Sequence, residues 1–127
     1  MELYDYFENT EGLSILSTAS KDGKVDIAIY SRPHILEDGT AAFIMNDRLT
    51  HANVLSNPHA AFLFMEKGQG YRGKRMSLTF IREETDIEKI NSLRRKYCPE
   101  EQEIFRKPLF LVVFTVDKVL PLIGSGD

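Results

Sequence analysis

A hydroxyl, an imidazole and an amide, Thr50, His51 and Asn53, stand almost side by side in DRLTHANVLSNPHAAFLF, residues 47–64. The segment reads as a polar turn and a short helix with Thr50 at its N-cap. The first N–H groups of a helix have no partner within it, and with the helix dipole they favour an anion such as phosphate. Each of the three side chains could add a hydrogen bond to that anion. The same residues also suit a capped connector whose Val54 and Leu55 pack inward and whose end is Asn57 in a left-handed turn. The stretch alone leaves both readings open.

Two further stretches carry candidate chemistry. In SRPH, residues 31–34, Arg32 can grip a phosphate bidentately, and Pro33 marks an edge, a bulge or a ligand wall because it donates no ladder hydrogen bond. A plain bulge explains it equally well. GQGYRG, residues 68–73, has the GxGxxG spacing of a dinucleotide site, but the strand KRMSLTFI follows it instead of a helix and no βαβ unit surrounds it. It reads as a hairpin loop carrying Tyr71, Arg72 and Lys74, free to close over a ligand.

Other chemistries find little support. His34 and His59 have no ligand partners at metal spacing, so no metal site is expected. Cys98 is the only cysteine, cannot form an internal disulfide, and reads as a small hydrophobe. Glu83-Glu84 and Glu100-Glu101 are neighbours whose side chains point apart. No Ser/His/Asp constellation is evident.

The elements that must position these residues follow from pattern. Residues 1–10 place Leu3, Tyr6 and Phe7 at helical spacing. Residues 13–20 and 25–36 are strands, with Asp22-Gly23 as the hairpin turn between them, and Asp38-Gly39 leads into a strand over 40–46. Residues 60–66 and 75–84 are two more strands. Thr85-x-x-Glu88 is a capping box before a helix carrying Ile87, Ile90, Leu93 and Tyr97 on one face. Pro99 starts a helical turn reaching Phe105, and residues 109–119 form the last strand. Six strands with early hairpins and a late helix predict a mainly β fold, a six-stranded antiparallel barrel. AAFLFME and FLVVFTV are apolar on both faces, so the barrel exterior must also be covered, by helices and by a second copy of the chain.

At 127 residues, 43% of them hydrophobic, the chain has room for one domain, residues 1–127. A net charge of −3 with scattered cations argues against a nucleic-acid partner. Its longest apolar run, residues 109–116, is too short for a bilayer, and the N-terminus lacks a signal-peptide pattern. The expectation is a cytoplasmic protein with no membrane partner.

With these residues laid out, the sequence resembles the FMN-binding split-barrel family typified by pyridoxamine 5′-phosphate oxidase, in particular its small stand-alone members. The resemblance spans nearly the whole chain through LSILSTASKDGKVDIAIYSRPHI, DGTAAFIMNDRLTHANVLSNPHAAFLF, GYRGKRMSLT and FLVVFTVDKVLPLIG. It implies a homodimer with FMN in a cleft between subunits. The flavin ring would lie along Ile29, Tyr30, Ser31, Arg32 and Pro33 and along Ile44, Met45 and Asn46, with its phosphate at Thr50, His51 and Asn53. Tyr71, Lys74, Pro121 and Leu122 would come from the other subunit. Many relatives carry a Lys or Arg where this chain has Ala52, and Arg32 or Arg48 is the candidate replacement.

The resemblance implies an FMN-dependent oxidoreductase exchanging hydride or electrons with small-molecule donors and acceptors. The flavin supplies the redox chemistry, so no catalytic side chain is assigned. Pyridoxamine phosphate oxidation itself is not expected, since the short chain has no second basic cluster. The alternative is a non-catalytic binding or sensing protein on the same fold, holding heme through His34 or His59, or a deazaflavin coenzyme.

Overall fold

The computed structural model describes residues 2–93 and 108–125. The expected turn from Pro99 to Phe105, and Tyr97 and Cys98, lie outside them. Among the described residues, three helices and seven strands follow in the order α1 (Leu3–Asn9), β1 (Gly12–Ala19), β2 (Val25–Tyr30), β3 (His34–Ile35), β4 (Ala41–Asn46), α2 (Leu49–Ser56), β5 (His59–Glu66), β6 (Gly73–Glu84), α3 (Ile87–Leu93) and β7 (Leu109–Pro121). Gly23 and Gly39 supply the positive φ, 84° and 85°, that the two Asp-Gly turns require.

All strand pairs are antiparallel, in the spatial order β2-β1-β5-β6-β7-β4-β3. The strand expected over residues 25–36 is divided at Ser31, Arg32 and Pro33, which is why seven strands stand where six were expected. Pro33 has no N–H to give to a ladder. β2 therefore stays with β1, while β3 crosses to β4 at the other edge. From Tyr30 to His34 an extended chain reaches roughly 14 Å at most. Only a sheet curled until its edges approach can be joined by so short a link, and that curl makes the split barrel.

The barrel interior is aromatic. Phe43, Phe62, Phe64 and Phe114 fill it with Leu16, Met45, Met76 and Leu78, and Phe7 of α1 packs edge-on to Phe62 and Phe64 at 6.0 and 5.4 Å. Gly12 of β1 and Gly73 of β6 flank Phe64 and Met65 so closely that a Cβ at either would strike the β5 backbone. Outside the barrel, Ala42, Ile44, Leu109, Leu111 and Val113 form a second cluster closed by Ile90 of α3. This helix covers the outer face of β7 that the sequence left without a polar side. Val25, Ile27 and Ile29, on the outer face of β2, stay 79%, 69% and 66% exposed.

Four local details differ from expectation. α2 begins two residues early, so its N-cap is Arg48, in extended conformation with no side-chain cap, and Thr50 lies within the first turn. Asn57 is extended at φ −144° instead of left-handed, and Leu55 points out, 53% exposed, while Val54 is buried. At α3 the capping oxygen belongs to Asp86, which accepts from the N–H of Glu88 at 3.1 Å, and not to Thr85. Asp is among the strongest N-caps, so the shift of one residue costs nothing. Among the described residues, no helix is long and apolar enough to cross a membrane.

Candidate functional site

Where the split opens, β2, β4 and the start of α2 surround a cleft of about 260 Å³, lined by Asp26, Ala28, Ile29, Tyr30, Ile44, Asn46, Arg48, Leu49 and Thr50. The lining follows from strand period. Asp26, Ala28 and Tyr30 share the inner face of β2, while Ile29 reaches the cleft from the outer face, so the cleft wraps the edge of that strand. From β4 it takes the outward residues Ile44 and Asn46, since Phe43 and Met45 turn into the barrel.

The cleft has an apolar part and a polar corner. Ile29, Ile44 and Leu49 provide the apolar walls. Thr50, only 5% exposed, hydrogen-bonds the Tyr30 phenol beside the Arg48 guanidinium and the Asn46 amide. Burial raises the Tyr30 pKa above the ordinary phenol value; the Thr50 hydrogen bond and the Arg48 charge oppose this, and the Asp26 carboxylate adds to it. Tyr30 is thus a neutral phenol at neutral pH.

Ile29, Tyr30, Ile44, Asn46 and Thr50, all expected at the site, are brought together here. The remaining candidates lie elsewhere. Arg32 donates through Nη1 to the carbonyls of Phe7 and Thr10 at 2.9 and 2.8 Å, closing the C-terminal end of α1. Ser31 Oγ is buried with no hydrogen-bond partner among the described residues, Pro33 is buried, and Met45 is 1% exposed in the core.

The other two residues of the trio turn inward. His51 places Nδ1 3.0 Å from Asp47 Oδ1 and Nε2 2.6 Å from Glu83 Oε1, and its ring stacks on Phe110 with centroids 4.1 Å apart. Asn53 Nδ2 donates to Thr18 Oγ1 at 3.1 Å in the interior. Of the trio, only Thr50 lines the cleft.

Tyr71, Lys74, Pro121 and Leu122, expected from a second subunit, do not line the cleft. Lys74 pairs with Pro121 across β6 and β7, and its Nζ sits 4.6 Å over the ring of Tyr6, whose hydroxyl donates to Glu66 at 2.6 Å. Tyr71, on the glycine loop, is 75% exposed. His34 is buried in β3 and engaged by neighbours, and His59 sits at the start of β5.

Sequence reasoning left out Asp26, Ala28 and Leu49 and named Arg48 only as a substitute. Asp26 and Ala28 were within reach, being at i−4 and i−2 from Tyr30 on one strand face. A larger cleft of about 550 Å³ lies between α1 and the β3–β4 turn, lined by Glu2, Leu3, Tyr4, Asp5, Ile35, Leu36, Glu37 and Gly39. Its three carboxylates oppose any anionic ligand. Among the described residues no cluster of three or more metal-ligating side chains exists.

No protein-family model matches the sequence, and no curated protein matches it. Solved structures do. An FMN-binding protein from Syntrophomonas wolfei subsp. wolfei superposes with a TM-score of 0.76 at 19% identity, covering 97% of this chain and 85% of that one. HupZ of Group A Streptococcus gives 0.70 at 18% identity, over 98% and 94% of the two chains. An F420 reductase gives 0.67 at 15% identity, over 94% and 97%. At these identities the likeness is one of fold, and the chain has a split-barrel fold.

Proposed function

We propose that this chain is an FMN-binding oxidoreductase that acts as a homodimer, with the cofactor in the cleft at the split. One observation carries the reading: the cleft joins apolar walls to a cation, a hydroxyl and an amide, Arg48, Thr50 and Asn46, with a single carboxylate, Asp26, among its lining. A flavin mononucleotide needs that pairing, a planar apolar ring at one end and a phosphate at the other. Arg48 stands where the basic residue absent at position 52 would otherwise be wanted, and Arg32 is committed to α1.

The dimer supplies what one protomer lacks. Ligand sites usually exceed about 300 Å³, and the cleft holds about 260 Å³. Ile29 belongs both to the cleft and to the exposed apolar row with Val25 and Ile27. A second copy laid on that row would cover apolar surface and deepen the cleft together, bringing its Tyr71, Lys74, Pro121 and Leu122 toward the ring.

Bound FMN would supply hydride acceptance at its flavin ring from a small donor such as a nicotinamide. The chain's own part is to hold and exclude. Arg48, Thr50 and Asn46 would anchor the phosphate, Ile29, Ile44 and Leu49 would keep water from the ring face, and Tyr30 would remain a neutral hydrogen-bonding phenol. The likeness to an F420 reductase supports a second reading, a deazaflavin coenzyme in the same cleft.

Gel filtration of the purified chain with added FMN tests the reading. The expected result is yellow protein eluting as a dimer, bleached anaerobically by a reduced nicotinamide. Protein that stays colourless and leaves flavin fluorescence unquenched overturns it; binding of the deazaflavin instead selects the second reading.

A further inference from the structure

α2 carries the polar corner of the cleft, yet little apolar contact holds it in place. Of its eight residues, the buried ones are Thr50, His51, Asn53 and Val54, and Val54 alone of these is apolar. So short a helix is marginal by itself and takes its position from its contacts. Those contacts are polar. Asn53 ties the helix to Thr18 of β1, and His51 ties it to the other side of the barrel.

The His51 tie has three parts on three segments. Asp47 lies in the turn before α2, Glu83 on β6, and Phe110 on β7 beneath the ring. Each ring nitrogen faces a carboxylate oxygen, and hydrogen bonds that involve a carboxylate are charge-assisted and among the strong ones. The 2.6 Å contact to Glu83 is the one that reaches from the helix to the sheet. Arg48, Leu49 and Thr50 lie between Asp47 and His51 and all three line the cleft.

We propose that Glu83, acting through His51, is a positioning residue for the phosphate corner. It touches no ligand; it fixes the first turn of α2 against β6 so that Arg48 and Thr50 converge on one anion. This rests on the FMN reading, and it makes a prediction of sign. Simple charge reasoning says that removing a carboxylate near an anion site strengthens binding of the anion. Positioning says that binding weakens.

The test titrates FMN and riboflavin, which lacks the phosphate, into wild type, Glu83→Ala and Glu83→Gln. The Glu83 side chain is 32% exposed, so alanine leaves no large void, and circular dichroism checks the fold of each variant. Glu83→Ala is expected to weaken FMN about tenfold, the scale of one charge-assisted hydrogen bond, and riboflavin by less than about twofold. Glu83→Gln, whose amide oxygen still accepts from the ring, is expected to restore FMN binding to within about twofold of wild type. Unchanged or tighter FMN binding by Glu83→Ala overturns the proposal. So does equal loss of FMN and riboflavin, or a glutamine variant as weak as alanine. If wild type binds neither flavin, the FMN reading itself fails, an outcome recognisable before any variant is compared.

Discussion

Tyr30 and His34 are four positions apart in the chain and stand on opposite edges of one sheet, Tyr30 paired with Ser14 of β1 and His34 with Ala42 of β4. The link between them is therefore the seam of the barrel, and it leaves the cleft at Tyr30. Its central residue, Arg32, binds the end of α1, so one guanidinium ties that helix to the link between β2 and β3. A chain that must leave one edge and join the other needs a residue that stops the ladder, and Pro33 provides the stop.

Arg32→Ala is expected to loosen this seam. The carbonyls of Phe7 and Thr10 lose a charged donor, a loss of about 1.5–3 kcal/mol for such hydrogen bonds. Urea denaturation should show a lower midpoint with an unchanged m-value. An unchanged midpoint would mean that Pro33 and the flanking strands hold the seam without Arg32.

At the polar corner, Thr50→Ala should weaken FMN binding by about 1–2 kcal/mol, one hydrogen bond to a charged group. Arg48→Ala should weaken FMN by a similar amount and leave riboflavin nearly unaffected, because Arg48 would serve the phosphate alone. Parallel fluorescence titrations with the two flavins check this. Equal losses for both flavins would move Arg48 from the phosphate to the ring.

The exposed row on β2 makes a separate prediction. Ile27, 69% exposed and opposite Ser17 in the β1–β2 ladder, lies at the middle of the row between Val25 and Ile29. Ile27→Lys should leave the barrel folded, since the residue contributes nothing to the interior, and should convert a dimer to a monomer in analytical ultracentrifugation. Flavin affinity should fall with it. A variant that remains dimeric would assign the contact to another face.

The sequence made the strands and turns legible because their signals are local: short runs rich in apolar and β-branched residues, Asp-Gly at both early hairpins, and a helical period in α1 and α3. The division of residues 25–36 was only half legible. Pro33 announced a break, but which edge β3 would join depends on how far the whole sheet curls, and no local pattern encodes that. At the site, residue types gave the right helix and the wrong facing. A helix of eight residues with one buried apolar side chain carries almost no periodic signal, so the inward turn of His51 and Asn53 could not be read. Asp47, four residues before His51, was available as a helical neighbour. Glu83 was not, being brought to the ring by β6 from 32 positions away.

Tyr6 gives a pH prediction whose sign follows from its surroundings. Burial, the hydrogen bond to Glu66 and the Glu66 charge all raise its pKa above the ordinary phenol value. Burial raises Tyr30 as well. A group whose pKa is higher folded than unfolded contributes its stability in full below the unfolded value, about 10 for tyrosine, and loses it as pH rises toward the folded value. Stability should therefore decline above pH ~10, by up to about 1.4 kcal/mol per pH unit for each such tyrosine. Tyr6→Phe should be less stable at neutral pH, having lost the 2.6 Å hydrogen bond to Glu66. It should also decline less steeply in the alkaline range, because one of the two raised phenols is gone. Urea unfolding of both proteins from neutral to alkaline pH measures the two slopes. Parallel slopes would show that the alkaline loss comes from other groups and that the Tyr6 phenol ionises as readily in the fold as outside it.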